Sequence, residues 1–269
     1  MKKPIGEIKF NARKRLEYNY PKLLGACALV LVIGFTSVFV VYGIQTLNMD
    51  MPAAFNAVYS GDPEELNQVV DKMTTDPVYI AISHIALLIA NVIIMLALAG
   101  FFKIVLNVAR GGKPDLSDLF FSLKNNPDKV VVISVISYVI SLAIRLPDLI
   151  AGALGQDQAA MNSSNIWRFS KLLMLIFTLA ADVYLSQAVF IYLDDPDTPV
   201  KELIGGSISL IKGNVWRYIL LNLSFILWYI VGAFTFGIGL IFIVPYHSMA
   251  VLVFYRDLKG ELPGGQTVN

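Results

Sequence analysis

The sequence predicts an all-α, polytopic membrane helix bundle: six transmembrane helices arranged as three parallel two-helix repeats, each preceded by a cytoplasmic amphipathic helix. Three observations predict it. The 269 residues are 56% hydrophobic and 15% charged, with a mean hydropathy of +0.65, whereas an ordinary soluble domain carries about 25% charged residues. Apolar runs of spanning length recur along the chain. A boundary signal, Asn three residues before a Lys or Arg where an apolar run opens, recurs three times.

Crossing the hydrocarbon takes roughly 20 apolar residues in a helix. The runs 23–47, 78–106, 130–154, 170–193, 216–235 and 237–255 meet that length. The first follows a polar stretch too long for a secretory leader and is itself too long for an h-region, so it is expected to stay as a helix. The last two are joined by "TFGIG", where Gly237 and Gly239 permit a tight turn. The whole chain, 1–269, then reads as one transmembrane domain. Its repeat units are 1–108, 109–193 and 194–258, with an outer acidic loop 48–77 and a short tail 259–269.

Positive segments are retained in the cytoplasm. Of the 21 Lys and Arg, all but Lys72, Arg145, Arg168 and Lys171 fall in the N-terminal stretch, in the loops after spans two and four, or after the last span. Both termini are therefore expected to be cytoplasmic in a multi-pass protein of the cell membrane. The outer loop fits, with Asp50, Asp62, Glu64, Glu65, Asp71 and Asp76 against Lys72 alone. Trp167 and Trp216 fall at the expected interfaces.

The boundary signals are Asn19 with Lys22, Asn126 with Lys129, and Asn214 with Arg217. Aligning them brings Leu16, Leu123 and Ile211 together, and further upstream Ala12, Leu119 and Ser207. Each copy carries an amphipathic pattern at helical spacing. The first uses Ile5, Ile8, Ala12 and Leu16 opposite a densely basic face. The second uses Leu116, Leu119, Phe120 and Leu123. The third uses Val200, Leu203, Ile204, Ile208 and Ile211, with Thr198 expected as N-cap and Pro199 at the first helical position. The Asn motif reads as a helix-boundary turn whose cation meets lipid headgroups; the alternative is a direct ligand role.

The C-terminal quarter carries more specific elements: Asp195 with Pro196, Ser207 followed by "LIKGN", the segment Phe225 to Trp228, Gly237 to Gly239, Pro245 with Tyr246, and Phe254 with Tyr255. In that order they resemble the signature of a bacterial integral-membrane family labelled domain of unknown function 975. The resemblance implies location and fold and no reaction, so it supplies no catalytic residues. The extended acidic loop 48–77 departs from it.

Asp182, near the middle of the fourth span, is the costliest residue: insertion scales put a carboxylate there at about +2.5 to 3.5 kcal/mol. It is expected to face the bundle interior, with Asn91 and Gln187 as hydrogen-bond partners. One reading is a proton or substrate site in a central cavity; the other is a polar clamp between helices. His84 reads as an interfacial histidine with one hydrogen bond. Lys103 and Arg145 can snorkel, and Pro245 is expected to shape the last helix. Asp194, Asp195 and Asp197 lack the Gly and terminal Glu of an EF-hand loop and read as a solvated turn.

With one cysteine, Cys27, and two histidines, His84 and His247, neither a disulfide framework nor a metal site is expected. No Walker A, HExxH, GxSxG or CxxC motif occurs, and no cofactor is expected. A net charge of +1 gives no argument for nucleic acid. The first functional expectation is a non-enzymatic scaffold, regulatory or protective factor whose amphipathic helices bind anionic inner-leaflet lipid or a protein partner. The alternative is a small-solute or proton-linked transporter built around Asp182. It resembles the plan of mitochondrial carriers, whose repeated Pro-x-Asp/Glu-x-x-Lys/Arg signature is missing here. A lipid-modifying membrane enzyme ranks third.

Overall fold

A computed structural model describes residues 2–47, 51–153, 164–235 and 237–262, and all the regular structure among them is helical. Asp50 of the acidic loop, Phe236 of the "TFGIG" turn and the tail beyond 262 lie outside the described residues, as do the side chains of Asp71 and Lys72.

In chain order, α1 is Ile5–Leu16, α2 Tyr20–Leu47, α3 Met51–Ser60, α4 Pro63–Thr75 and α5 Pro77–Ala109. A 3-10 turn, Leu116–Phe120, leads into α6 (Phe121–Lys124), then α7 (Pro127–Leu142). The 3-10 turn Ala143–Arg145 leads into α8 (Leu146–Ala153). The rest is α9 (Asn165–Leu185), α10 (Ala188–Asp194), α11 (Val200–Ile211), α12 (Val215–Phe234) and α13 (Leu240–Leu258). Among the described residues six helical stretches are long and apolar enough to cross a membrane: α2, α5, Pro127–Asp148, Asn165–Asp194, α12 and α13.

The acidic loop is itself helical. Asp62 accepts a hydrogen bond from the Glu64 amide (2.8 Å) just before α4, and Pro63 opens that helix. Asp76 caps α5 through the amides of Val78 (2.8 Å) and Tyr79 (3.3 Å). With 33 residues, α5 is about 50 Å long and outreaches the hydrocarbon.

The fourth span is broken where its sequence shows only apolar continuity. The Ser207 hydroxyl, reaching across from α11, accepts the Gln187 amide (3.0 Å) and donates to the Tyr184 carbonyl (2.6 Å). A side chain inserted into the i→i−4 ladder in this way separates α9 from α10.

Lys3, Asp257 and Arg217 meet at one end of the bundle, where the Lys3 amide donates to Asp257 and Arg217 donates to both Asp257 and the Lys3 carbonyl. Most of the cations gather at this basic end. Three short segments pack there against the spans. Segment 116–124 lies on α5, where Ser122 donates to the Leu96 carbonyl (2.7 Å). Helix α11 lies on α9 and α10, and α1 lies along α13. Gly100 permits the first contact: a Cβ there would stand 2.0 Å from the Leu119 carbonyl oxygen.

The faces of these segments differ from expectation in two places. The 3-10 turn rotates the middle segment so that Ser122 is buried while Leu116, Phe120 and Leu123 stay exposed. At α11, Pro199 rather than Thr198 occupies the N-cap position, and the Thr198 hydroxyl donates to Asp195 instead (2.9 Å). In α1, Ile8, Ala12 and Leu16 are buried as the pattern predicts, but against protein.

The core sits at the basic end, built from Phe101, Ile104 and Leu106 of α5, residues 188–193 of α10, and Met249–Tyr255 of α13. In α13, 67% of the spanning window is buried, against 17–28% in the other five. One helix is thus the axis and the others are its wall. At the opposite, far end, α12 turns into α13 through Gly237, whose φ of +84° suits glycine.

Candidate functional site

Above the packed core lies a cleft of about 250 Å³ bounded by five of the six spans. Met95 and Phe102 come from α5, Ile133 and Ser137 from α7, and Asp182, Leu185, Ser186, Val189 and Phe190 from α9, α10 and the break between them. Tyr218 and Asn222 come from α12, and His247, Ser248 and Val251 from α13. Asp182 lines it exposed, and no hydrogen bond or ion pair within the described residues engages its carboxylate.

His247 is held at both ring nitrogens: Nδ1 lies 2.7 Å from the Tyr229 hydroxyl and Nε2 3.0 Å from Asn222 Oδ1. The Asn222 amide nitrogen already donates to the Tyr218 carbonyl (2.8 Å), so its oxygen faces the imidazole as an acceptor. That assigns the proton to Nε2 and leaves Nδ1 accepting from Tyr229.

The three residues expected to form one intramembrane polar site are not brought together. Asn91 lines a separate cleft of about 400 Å³, with Val38, Tyr42, Gln45 and Tyr138 among its walls, and accepts from Ser134 (2.6 Å). Gln187 is fully buried at the α9–α10 break. Its Nε2 donates to Ser186 (2.8 Å), and its Oε1 has no partner within the described residues. Hydropathy averaging hid the groups that do stand with Asp182, namely Tyr218, Asn222 and His247. Polar residues interrupting spans five and six were the signal that could have found them. His84, at the far end, pairs with Tyr138 (2.9 Å), as an interfacial histidine would.

Rings from three helices lie on the core side of the cleft. Phe102 and Phe190 pack edge to face at 5.2 Å, and Phe190 meets Tyr255 at 5.5 Å. At the basic end the same helices are tied by ions. Asp194 at the end of α10 takes Arg110 (2.8 Å), Lys259 (2.5 Å) and the Tyr255 hydroxyl (2.6 Å). Glu261 takes Arg110 (3.0 Å) and Arg256 (3.1 Å). Burial pushes the Glu261 carboxyl up, but hydrogen bonds from Arg110 and Arg256 prevail and hold it below the usual carboxylate range. Arg15 and Arg256 both donate to the Ala109 carbonyl, the C-terminal end of α5, where cations are favoured.

The boundary residues sit one position before their helices. The Asn19 amide donates to Leu16 (2.9 Å) and its carbonyl accepts from Leu23 (3.2 Å). Asn126 adopts φ +50°, and its side chain donates to Asp197 (2.8 Å) and the Pro196 carbonyl (3.1 Å). Asn214 accepts from Arg217 (3.1 Å). Neither Asn126 nor Asn214 caps with its side chain. Lys22 is exposed, whereas Lys129 donates to the Pro196 carbonyl (2.5 Å) and Arg217 pairs with Asp257 (2.7 Å). Two of the three cations expected at headgroups are therefore bound within the protein. Lys103 likewise donates to the Leu193 carbonyl (2.9 Å) rather than snorkelling. The three aspartates of the turn diverge: Asp194 joins the ion network, Asp195 accepts from Thr198, and Asp197 accepts from Asn126.

Six helices long and apolar enough to span a membrane, five of them around one cleft, define a multi-pass helical membrane protein. The family model described as "Protein of unknown function (DUF975)" matches residues 1–261, so the chain belongs to that family. No curated protein and no solved structure matches it.

Proposed function

We propose that the protein is a non-enzymatic membrane protein that binds and moves a small solute or a proton at the central cleft. The observation that carries this reading is Asp182: a carboxylate in a span, facing a cleft, with no hydrogen-bond or ion-pair partner among the described residues. A structural clamp would be hydrogen-bonded, as Asn91 and Ser134 are. The test is flux in proteoliposomes. Wild type should dissipate an imposed proton or solute gradient, and Asp182→Asn should lose that flux while keeping its fold. Equal flux from both proteins removes Asp182 from the pathway.

The cation distribution supports placing the basic end, and with it both termini, on the cytoplasmic side of a cell membrane. A cyclic pattern supports the three-repeat reading. Asp115, which opens the second unit, is held low first by the Ser117 amide and further by Lys22 of the first. Lys129 of the second unit binds Pro196 at the start of the third, and Arg217 of the third binds Lys3 of the first.

A second reading, lipid binding by the basic helix, rests on the outer face of α1. Arg13 and Lys14 are exposed there beside Phe10 (63%) and Tyr18 (91%), a basic and aromatic surface suited to anionic lipid at an interface.

A further inference from the structure

We propose that the cleft takes a small organic cation, an ammonium compound, with Asp182 as its counter-ion and the Phe102 and Phe190 rings against its alkyl groups. This inference rests on reading the Asp182 cleft as a solute site and names the class of solute. Charge comes first. Among the described residues Asp182 is the only carboxylate lining the cleft, and neither Lys nor Arg lines it. An anion would meet an unopposed carboxylate in a low-dielectric span. Lys9, which reaches toward α12, is taken up by the Ser224 hydroxyl (3.2 Å) and the Phe225 ring (4.6 Å).

Size and donor set narrow the class. The space, about 250 Å³, holds on the order of eight waters at about 30 Å³ each, far more than a bare metal ion fills. A hard cation wants six or more oxygens converging on one point; here one carboxylate faces hydroxyls on separate helices, Ser137 on α7 and Ser248 on α13. A soft cation wants one counter-charge and aromatic surface. The cleft offers both, with Phe102 and Phe190 set edge to face at 5.2 Å. His247, its nitrogens engaged by Tyr229 and Asn222, adds a polar wall.

The experiment measures the thermal stability of the purified full chain in uncharged detergent, with tetramethylammonium chloride against sodium chloride at equal ionic strength. Wild type should gain about 5 °C in Tm at a hundredfold excess over Kd. Asp182→Asn should gain nothing, and Phe102→Leu should bind about tenfold more weakly. A gain retained in Asp182→Asn, or matched by sodium, overturns the proposal. If tetramethylammonium has no effect while flux in proteoliposomes still depends on Asp182, the cleft serves protons or neutral solutes: the cation class falls and the transport reading stands. If neither binding nor flux appears in wild type, both fall together.

Discussion

The two ends of the bundle are built differently from similar residues. At the basic end, short segments clamp the spans, α13 is buried on all sides, and charges from three helices share Asp194 and Glu261. At the far end the buried core shrinks to a small cluster of Val41, Ala86 and Ala90, and large side chains such as Phe39 (81%) and Phe234 (83%) are exposed. Outward apolar side chains are stable in lipid, which solvates them as well as a protein core would. The far end can therefore do without tight packing. The basic end, where backbone leaves the helices and meets water, needs hydrogen bonds and ion pairs to close it.

The largest expected contrast compares ion pairs. Arg217 and Asp257 are largely buried, with side-chain exposures of 23% and 4%. Lys171 and Asp148 at the far end are 37% and 41% exposed. Breaking a buried pair strands a charge and costs about 3–5 kcal/mol, whereas an exposed pair contributes about 0–1 kcal/mol. Arg217→Met should thus lower Tm by many degrees and Asp148→Asn by little. Comparable losses would break the contrast.

A smaller difference separates two glycines. Gly100→Ala drives a Cβ into the Leu119 backbone and should destabilise by about 1–3 kcal/mol. Gly34→Ala in α2 has no heavy atom within 4 Å and should be neutral or gain up to about 1 kcal/mol from helix propensity. Tm measurements on both variants check the pair.

The smallest effect is in acid. Because the Glu261 carboxyl is held low in the folded protein, its contribution is present above its unfolded pKa of about 4.3 and is lost as pH falls through the lower folded value. Glu261→Gln should therefore show a shallower loss of Tm between pH 5 and 3 than wild type. Parallel curves would remove Glu261 from the closure.

The spans were legible because hydrocarbon length selects apolar runs directly: α12 begins and ends within a residue of its expected bounds. The α9–α10 break was not, since its cause is Ser207, twenty residues further on, hydrogen-bonding into the ladder. The exposed face of 116–124 was missed because the i, i+3, i+4, i+7 pattern assumes α geometry and the segment starts as a 3-10 turn. Of the expected polar site, Asp182 lines the cleft. Its neighbours come from four other spans, and pairing between distant spans leaves no local mark in the chain. Arg217 with Asp257 and Lys129 with Pro196 were hidden for the same reason.

The most direct test is the Tm of ligand-free Asp182→Asn beside wild type in the same detergent. A carboxylate kept for function, without a partner among the described residues, costs stability; its neutral isostere should melt at the same temperature or higher. A fall of several degrees, of the size expected for losing a hydrogen-bonded clamp, would make Asp182 a structural residue and contradict the account.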